Sequence, residues 1–364
     1  MVSPLAPSGF GSLMTAIKSL ETGLVAPIQQ AHELQLTALR NESKWYKQLD
    51  RSVILAMLAA RELKISSNRI GINIGSSRGA TGVWEESFSC FSKNGKATTQ
   101  SSPLTTLGNI STWIAQDLGI DAAAFSHSIT CATASHAVLN AIAWLESDMV
   151  DEFIVGGAEA PLTPFTIAQM KALRIYTTQK NDFPCRALDL EKSENTMVLG
   201  EAAACFTLSK KEAQKSIAQI TGYGTAIEQL SSATSLSVNG KCLQDSMKRA
   251  LKHTSLDEVD AIITHSPGTI KGDQAEFNAI KEVFGTSYPV LCNNKWQVGH
   301  TLGASSAMSI AMAIEMFSKK KVFKIPYLDD SFTNPRGEKV VPKKVLINAT
   351  GFGGNAVSLL LEAL

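Results

Sequence analysis

The chain switches repeatedly between the two hydrophobic periods of regular structure. Residues 50–63, Asp50-Arg51-Ser52-Val53-Ile54-Leu55-Ala56-Met57-Leu58-Ala59-Ala60-Arg61-Glu62-Leu63, carry apolar side chains at helical spacing and predict a strong helix. Arg69-Ile70-Gly71-Ile72-Asn73-Ile74-Gly75 then reads as a buried strand running into the small-residue loop at Ser76 and Ser77. Helices are predicted over 80–91 and 104–118, with the polar stretch 93–102 as a surface loop. Upstream, Val2–Leu5 reads as the end of a strand whose beginning is absent, and residues 12–22 as a short helix stopped by Gly23.

A run dense in alanine and small residues follows Cys131, with no Gly or Pro as far as Trp144. It predicts a buried helix. Next comes a strand over 152–160 with a double-glycine turn at Gly156-Gly157, where the backbone must pass close to something, and more sheet over 197–208. The order then returns. Strands are predicted from Ile217 and over 261–264, 289–292 and 345–348, with helices over 243–252 and 273–284. A second small-residue helix covers 303–315, and a second glycine turn, Gly351-Phe352-Gly353-Gly354, closes the series. The alternation predicts an α/β fold built from two similar halves, residues 1–215 and 216–364, around a pseudo-twofold axis.

Composition narrows the function classes. With 364 residues, 44% hydrophobic and 18% charged, the chain has ample material for a core. A formal net charge of +1 argues against nucleic acid and against a bulk membrane surface. Six cysteines without CxxC spacing disfavour zinc and a disulfide framework and suit a reducing, cytoplasmic setting. No apolar run is long enough to span a bilayer, and no charged-then-apolar leader opens the chain. Neither GxxxxGK[ST] nor GxGxxG between strand and helix is present, so phosphate cradling is not indicated.

Four features stand at predicted strand ends or helix starts, where open α/β sheets place their sites. Cys131 precedes the first small-residue helix. A free cysteine is ordinarily a small core hydrophobe, but free N–H groups at a helix start favour a thiolate. His265 follows a strand, in His265-Ser266-Pro267-Gly268-Thr269, and His300 precedes the second small-residue helix, in Gly299-His300-Thr301-Leu302-Gly303. The turn at 351–354 offers backbone N–H groups to an oxyanion. His127, His136 and His253 read as structural or surface residues, and a two-histidine metal site lacks a third ligand at sensible spacing.

Jointly these motifs resemble the β-ketoacyl-[acyl carrier protein] synthases. Cys131-Ala132-Thr133 is similar to their nucleophile motif. His265 with Gly268-Thr269 and Gly272-Asp273 is similar to the first histidine motif, and Lys295 with Gly299–Ala304 to the second. Gly351–Gly354 is similar to the C-terminal glycine loop. Gly156–Ala160, Leu199-Gly200-Glu201 and Gly222-Tyr223-Gly224 match in the same order. The resemblance implies the thiolase fold, a duplicated five-layer α/β/α/β/α unit. It also implies a decarboxylative Claisen condensation, with acyl carrier protein as partner and no cofactor. The chain is expected to form a homodimer, or a heterodimer with a paralogue. Cys131 would carry the acyl group, His265 and His300 would stabilise the enolate, and Lys295 would polarise the histidine side. The backbone N–H groups of Cys131 and Phe352 would form the oxyanion hole, with Phe352 also a gate. Thr269, Gly353 and Gly354 would contact pantetheine, while Leu107, Ile110 and residues near Phe165 would line the acyl pocket.

The departures are informative. Pro267 replaces a threonine of the usual run, Ser193-Glu194-Asn195 replaces Arg-Asp-Gly, and Ser309 replaces a glutamate. Lys295 therefore needs another acid or a carbonyl, and Glu201 is the expected partner. These changes fit a specialised branch that builds polyenes or another secondary product. The alternative is a non-catalytic, chain-length-setting partner subunit; such partners usually lack the cysteine, which is present here.

Overall fold

Two five-stranded sheets face each other across a layer of two helices. The computed structural model describes residues 2–5, 16–20, 23–107, 109–210, 216–230, 232 and 236–364. The first sheet holds β1 (Val2–Leu5), β4 (Ile70–Gly75), β5 (Ala122–Phe125), β6 (Glu152–Glu159) and β8 (Ala202–Ser209), in the order β1-β8-β6-β4-β5. The second holds β9 (Ala218–Ile227), β10 (Ala261–Ile263), β11 (Val290–Cys292), β12 (Lys344–Gly351) and β13 (Asn355–Ala363), in the order β11-β10-β12-β13-β9. A small third sheet joins β2 (Lys18–Leu20), β3 (Gly23–Ala26) and β7 (Leu199–Gly200).

The two large sheets have one topology. In each, the strand that comes second along the chain lies between the third and the fourth, all three parallel, and the fifth and first follow antiparallel. Strand β4 thus corresponds to β10, β5 to β11, β6 to β12, β8 to β13 and β1 to β9. This is the duplication expected from the repeated hydrophobic pattern.

The helices, in chain order, are α1 (Gln30–Glu42), α2 (Arg51–Arg61), α3 (Thr81–Asn94), α4 (Ser101–Leu104), α5 (Asn109–Leu118), α6 (Thr133–Glu146), α7 (Pro164–Ala172), α8 (Lys241–Ala250), α9 (Ile270–Phe284), α10 (Lys295–Val298), α11 (Ser305–Lys319) and α12 (Asp330–Thr333). Helices α6 and α11 form the middle layer and share one apolar core with the inner faces of both sheets. Their small side chains, Ala134, Ala137 and Ala141 against Ser306, Ala307 and Ala311, bring the layers close. The Ser135 N–H donates to Ser306 Oγ at 2.9 Å across the junction. Helices α2 and α5 cover the outer face of the first sheet, and α8 and α9 that of the second. The result is five layers. Among the described residues no helix is long and apolar enough to cross a membrane.

Local chemistry sets the helix starts. Asp50 caps α2, its carboxylate accepting from the Ser52 N–H at 2.8 Å. Thr163 caps α7, with Pro164 at the first helical position, and Thr269 caps α9.

Three local expectations change. Residues 18–20 are strand, not helix, while residues 12–15, 21 and 22 lie outside the described residues. The helix expected over 104–118 begins at Asn109, after the separate short helix α4. Gly156 and Gly157 lie inside β6 rather than in a turn. Their smallness still has a cause: a Cβ on Gly156 would sit 2.0 Å from the Ala204 carbonyl oxygen, and one on Gly157 2.9 Å from Ala304 Cα.

Candidate active site

Cys131 lies between the end of β5 and the first turn of α6. Thr130, just before it, has φ of 55°, a left-handed conformation that β-branched residues rarely adopt. Several bonds hold it there. The Thr130 carbonyl accepts from Ser77 Oγ at 2.8 Å, from the Thr133 N–H at 3.3 Å and from the Thr133 hydroxyl. Thr130 Oγ1 donates to the Phe352 carbonyl at 3.1 Å, which ties the nucleophile loop of one half to the glycine hairpin of the other.

The two histidines come from the second half. His265 follows β10, and its N–H donates to Glu276 Oε1 at 2.9 Å; the Ser266 N–H donates to Glu276 Oε2 at 2.6 Å. The His300 N–H donates to the Val198 carbonyl at 2.7 Å, and its own carbonyl accepts from the Gly200 N–H at 3.1 Å. Gly299, at φ of 71°, lets this segment press on Leu199 and Gly200. The imidazole rings meet edge to face, centroids 5.2 Å apart at 80°. Cys131 Sγ and one nitrogen of each ring all lie within 4.8 Å of one another. Sequence spacing shows no third donor beside the two histidines; the fold supplies Cys131.

Burial dominates the electrostatics. Desolvation, reinforced by Glu159 and opposed by Lys295, pushes the Cys131 thiol up to about 12. Burial thus works against the expected helix-start thiolate and favours the thiol. Burial and then Lys295 lower His300 to about 3, and burial, Lys295 and His300 hold His265 well below its ordinary value. Both imidazoles are neutral, and each has one N–H to give. His300 Nδ1 is buried without a protein partner among the described residues.

Lys295 is 1% exposed, and burial lowers it to about 8. Its expected partner is wrong. Glu201 instead accepts from Arg51 twice, at 2.8 Å, and from the Ile28 N–H at 3.2 Å. The carboxylate that most favours charged Lys295 is Glu276. Ser309, at the position of the replaced glutamate, donates its hydroxyl to the Ser305 carbonyl at 3.3 Å.

Glu276 and Glu159 are the polar residues that sequence reasoning missed. Glu276 lies eleven residues beyond His265, on the face of α9 that turns back under the histidine loop. Glu159 ends the quoted Gly156–Ala160 motif. It accepts from Ser76 Oγ and from the N–H groups of Ser77, Arg78 and Gly303, at 2.7 to 3.2 Å. Burial, only partly offset by these donors, raises it to about 7.

Phe352 is 40% exposed at the tip of the three-residue loop between β12 and β13. Gly353 and Gly354 take φ of 96° and 67°. Leu230 packs on Gly354, where a Cβ would lie 2.5 Å from Leu230 Cδ2. Half-buried Thr269 accepts from the Gly272 N–H at 3.3 Å. The apolar wall around Cys131 is Val25, Ile167, Met170, Tyr176, Met197, Leu199 and Leu302. Of the residues expected at an acyl pocket, Ile110 is buried in the outer core of the first sheet and Phe165 is largely exposed, while Leu107 packs on Gly79.

The family models for the beta-ketoacyl synthase N-terminal and C-terminal domains match residues 48–214 and 217–327. The chain is 25% identical to 3-oxoacyl-[acyl-carrier-protein] synthase 2 of Staphylococcus aureus over 350 residues, 88% of this chain and 84% of that one. It is 26% identical to the chloroplastic 3-oxoacyl-[acyl-carrier-protein] synthase I of Arabidopsis thaliana over 311 residues, 80% of this chain but only 65% of the relative's length. The solved ishigamide ketosynthase/chain length factor superposes with a TM-score of 0.84 at 18% identity, covering 100% of this chain and 98% of that one.

Proposed function

Since the chain belongs to the β-ketoacyl synthase family, we propose that it joins a Cys131-bound acyl group to the malonyl unit of an acyl carrier protein, giving 3-oxoacyl-acyl carrier protein. The observation that carries the reading is the convergence of Cys131 Sγ with two neutral, buried imidazoles.

In the first half-reaction the Cys131 thiol gives its proton to a neighbouring imidazole as Sγ attacks the acyl thioester. The N–H groups of Cys131 and Phe352 receive the oxyanion. The pantetheine sulfur leaves and takes the proton back, so the enzyme ends acylated and uncharged.

In the second, the malonyl thioester loses carbon dioxide. Its enolate oxygen takes one hydrogen bond from each of His265 and His300, which requires both rings neutral. The carbanion attacks the acyl carbonyl, and the Cys131 sulfur leaves as thiolate and takes one proton from solvent, the proton consumed for each carbon dioxide lost. Loss of carbon dioxide drives the step without a cofactor. Lys295 polarises the histidine side, Thr269, Gly353 and Gly354 contact the pantetheine arm, and Phe352 gates it.

The chain length factor beside the ketosynthase in the ishigamide protein keeps a second reading in view, that of a non-catalytic partner subunit. Retention of Cys131 and both histidines favours the enzyme. The assembly is a homodimer or a heterodimer with a paralogue. Six free cysteines suit a reducing cytoplasm.

Mass spectrometry after incubation with an acyl-carrier-protein thioester or a cerulenin-like electrophile tests the nucleophile. A single adduct on Cys131, abolished by Cys131→Ser, is expected. An unmodified Cys131 where control synthases label contradicts the reading.

A further inference from the structure

We infer that Arg78 selects acyl groups carrying a hydrogen-bond-accepting oxygen, a carboxylate or a ketone, along the chain; this rests on the acyl transfer to Cys131 proposed above. Arg78 belongs to the Ser76–Gly79 loop after β4. That loop is bound to the nucleophile's own backbone: Ser77 Oγ donates to the Thr130 carbonyl at 2.8 Å, and Ser128 Oγ to the Ser77 carbonyl at 3.1 Å. The Arg78 main-chain N–H is fixed on Glu159 at 3.2 Å.

The side chain is left incomplete. Its Nη2 donates to Gln169 Oε1 on α7, while Nε is buried and has no acceptor among the described residues. No described carboxylate forms an ion pair with it, whereas Arg51, Arg61, Arg69 and Arg186 each have one. A guanidinium has five donors and never loses its charge, so a half-buried one without an acid is short of acceptors. A buried donor left unpaired is costly.

The location says what supplies the missing acceptor. Gln169 lies on α7 between Ile167 and Met170, which pack in the same apolar cluster as Cys131. The proposed condensation sets the malonyl unit against the histidines, which leaves the apolar wall with Ile167 and Met170 as the side of Sγ on which we place the acyl chain. Leu107 packs on Gly79, the residue after Arg78. An oxygen on the acyl group would meet Nε and the remaining guanidinium donors in a low-dielectric setting, where a charge-assisted bond is strong.

The test measures rates of Cys131 acylation by N-acetylcysteamine thioesters. A chain-length series is used, each length ending in methyl, in carboxylate, or carrying an internal ketone, with the wild type, Arg78→Lys and Arg78→Met. At one chain length the wild type prefers a carboxylate or ketone over methyl by about tenfold. Arg78→Met loses that preference and Arg78→Lys keeps it in part. The carboxylate and ketone arms separate an anionic from a neutral acceptor. A wild-type preference for methyl at every length, or a preference unchanged in Arg78→Met, overturns the inference. A merely structural arginine would lower the melting temperature in Arg78→Met and leave the ratio alone. Failure of every thioester to label Cys131 overturns the proposed function itself, and this inference with it.

Discussion

Gly351 leaves no space for a side chain beside Cys131: a Cβ there would lie 2.9 Å from the Cys131 amide nitrogen and 1.9 Å from Thr130 Oγ1. The end of β12 in one half is thus seated on the nucleophile's backbone in the other. The position sets how the hairpin bearing Phe352 approaches the thiol.

Gly351→Ala should therefore separate the two halves of the proposed oxyanion hole. The methyl group cannot be absorbed by a flexible side chain, because one of its neighbours is backbone. We expect Cys131 acylation to slow by about 100- to 1,000-fold, the range found when one oxyanion donor is lost. Near-native circular dichroism would show that the fold survives. An unchanged acylation rate would mean the hairpin does not shape the site.

The buried pair Lys192–Asp273, at 2.8 Å, braces the histidine loop from behind. Asp273 also accepts from the N–H groups of Leu188 and Gly268, and Gly268 belongs to the loop that follows His265. Lys192→Met leaves a buried carboxylate without its cation. A loss of about 3–5 kcal/mol in unfolding free energy is expected from denaturant titration. A loss below about 1 kcal/mol, within the range of surface pairs, would contradict the brace.

His300 carries a pH signature. Its folded value is depressed to about 3 from 6.5, so between those values the unfolded chain binds the extra proton. Its contribution to stability is present above 6.5 and is lost as pH falls toward 3. Glu159, raised from 4.5 to about 7, acts in the opposite sense: its protonated form is favoured in the fold, so its contribution falls as pH rises through that window. The two overlap, so the test is a difference. The stability gap between wild type and His300→Asn, measured by denaturant titration, should narrow between pH 7 and pH 4, by on the order of a few kcal/mol. A gap that stays constant would mean that the ring is not held neutral by the fold.

Much of this was legible before any coordinates. The helical period at 50–63, the buried strand at 70–75 and the two small-residue helices each follow from residue type alone, and their repetition predicts an α/β fold of two similar halves. Cys131, His265 and His300 were marked by their places at strand ends and helix starts. What stayed hidden depends on contacts between segments distant in sequence. Nothing near Glu201 says that Arg51 claims it, from 150 positions away. Nothing near Lys295 says that α9 turns Glu276 toward it. The burial that raises the thiol is not visible at Cys131 itself, because a helix start is a local feature, whereas burial belongs to the assembled layers. The glycines of β6 look like a turn in sequence, and only the crossing of Ala204 and Ala304 shows why a strand needs them there.

The most direct test of the central claim mixes the protein with acyl- and malonyl-loaded acyl carrier protein and follows carbon dioxide and product mass together. The account predicts one 3-oxoacyl-acyl carrier protein for each carbon dioxide released, with Cys131→Ala forming none. An enzyme that takes the acyl group onto Cys131 yet forms no 3-oxoacyl product when malonyl carrier protein is supplied would contradict it.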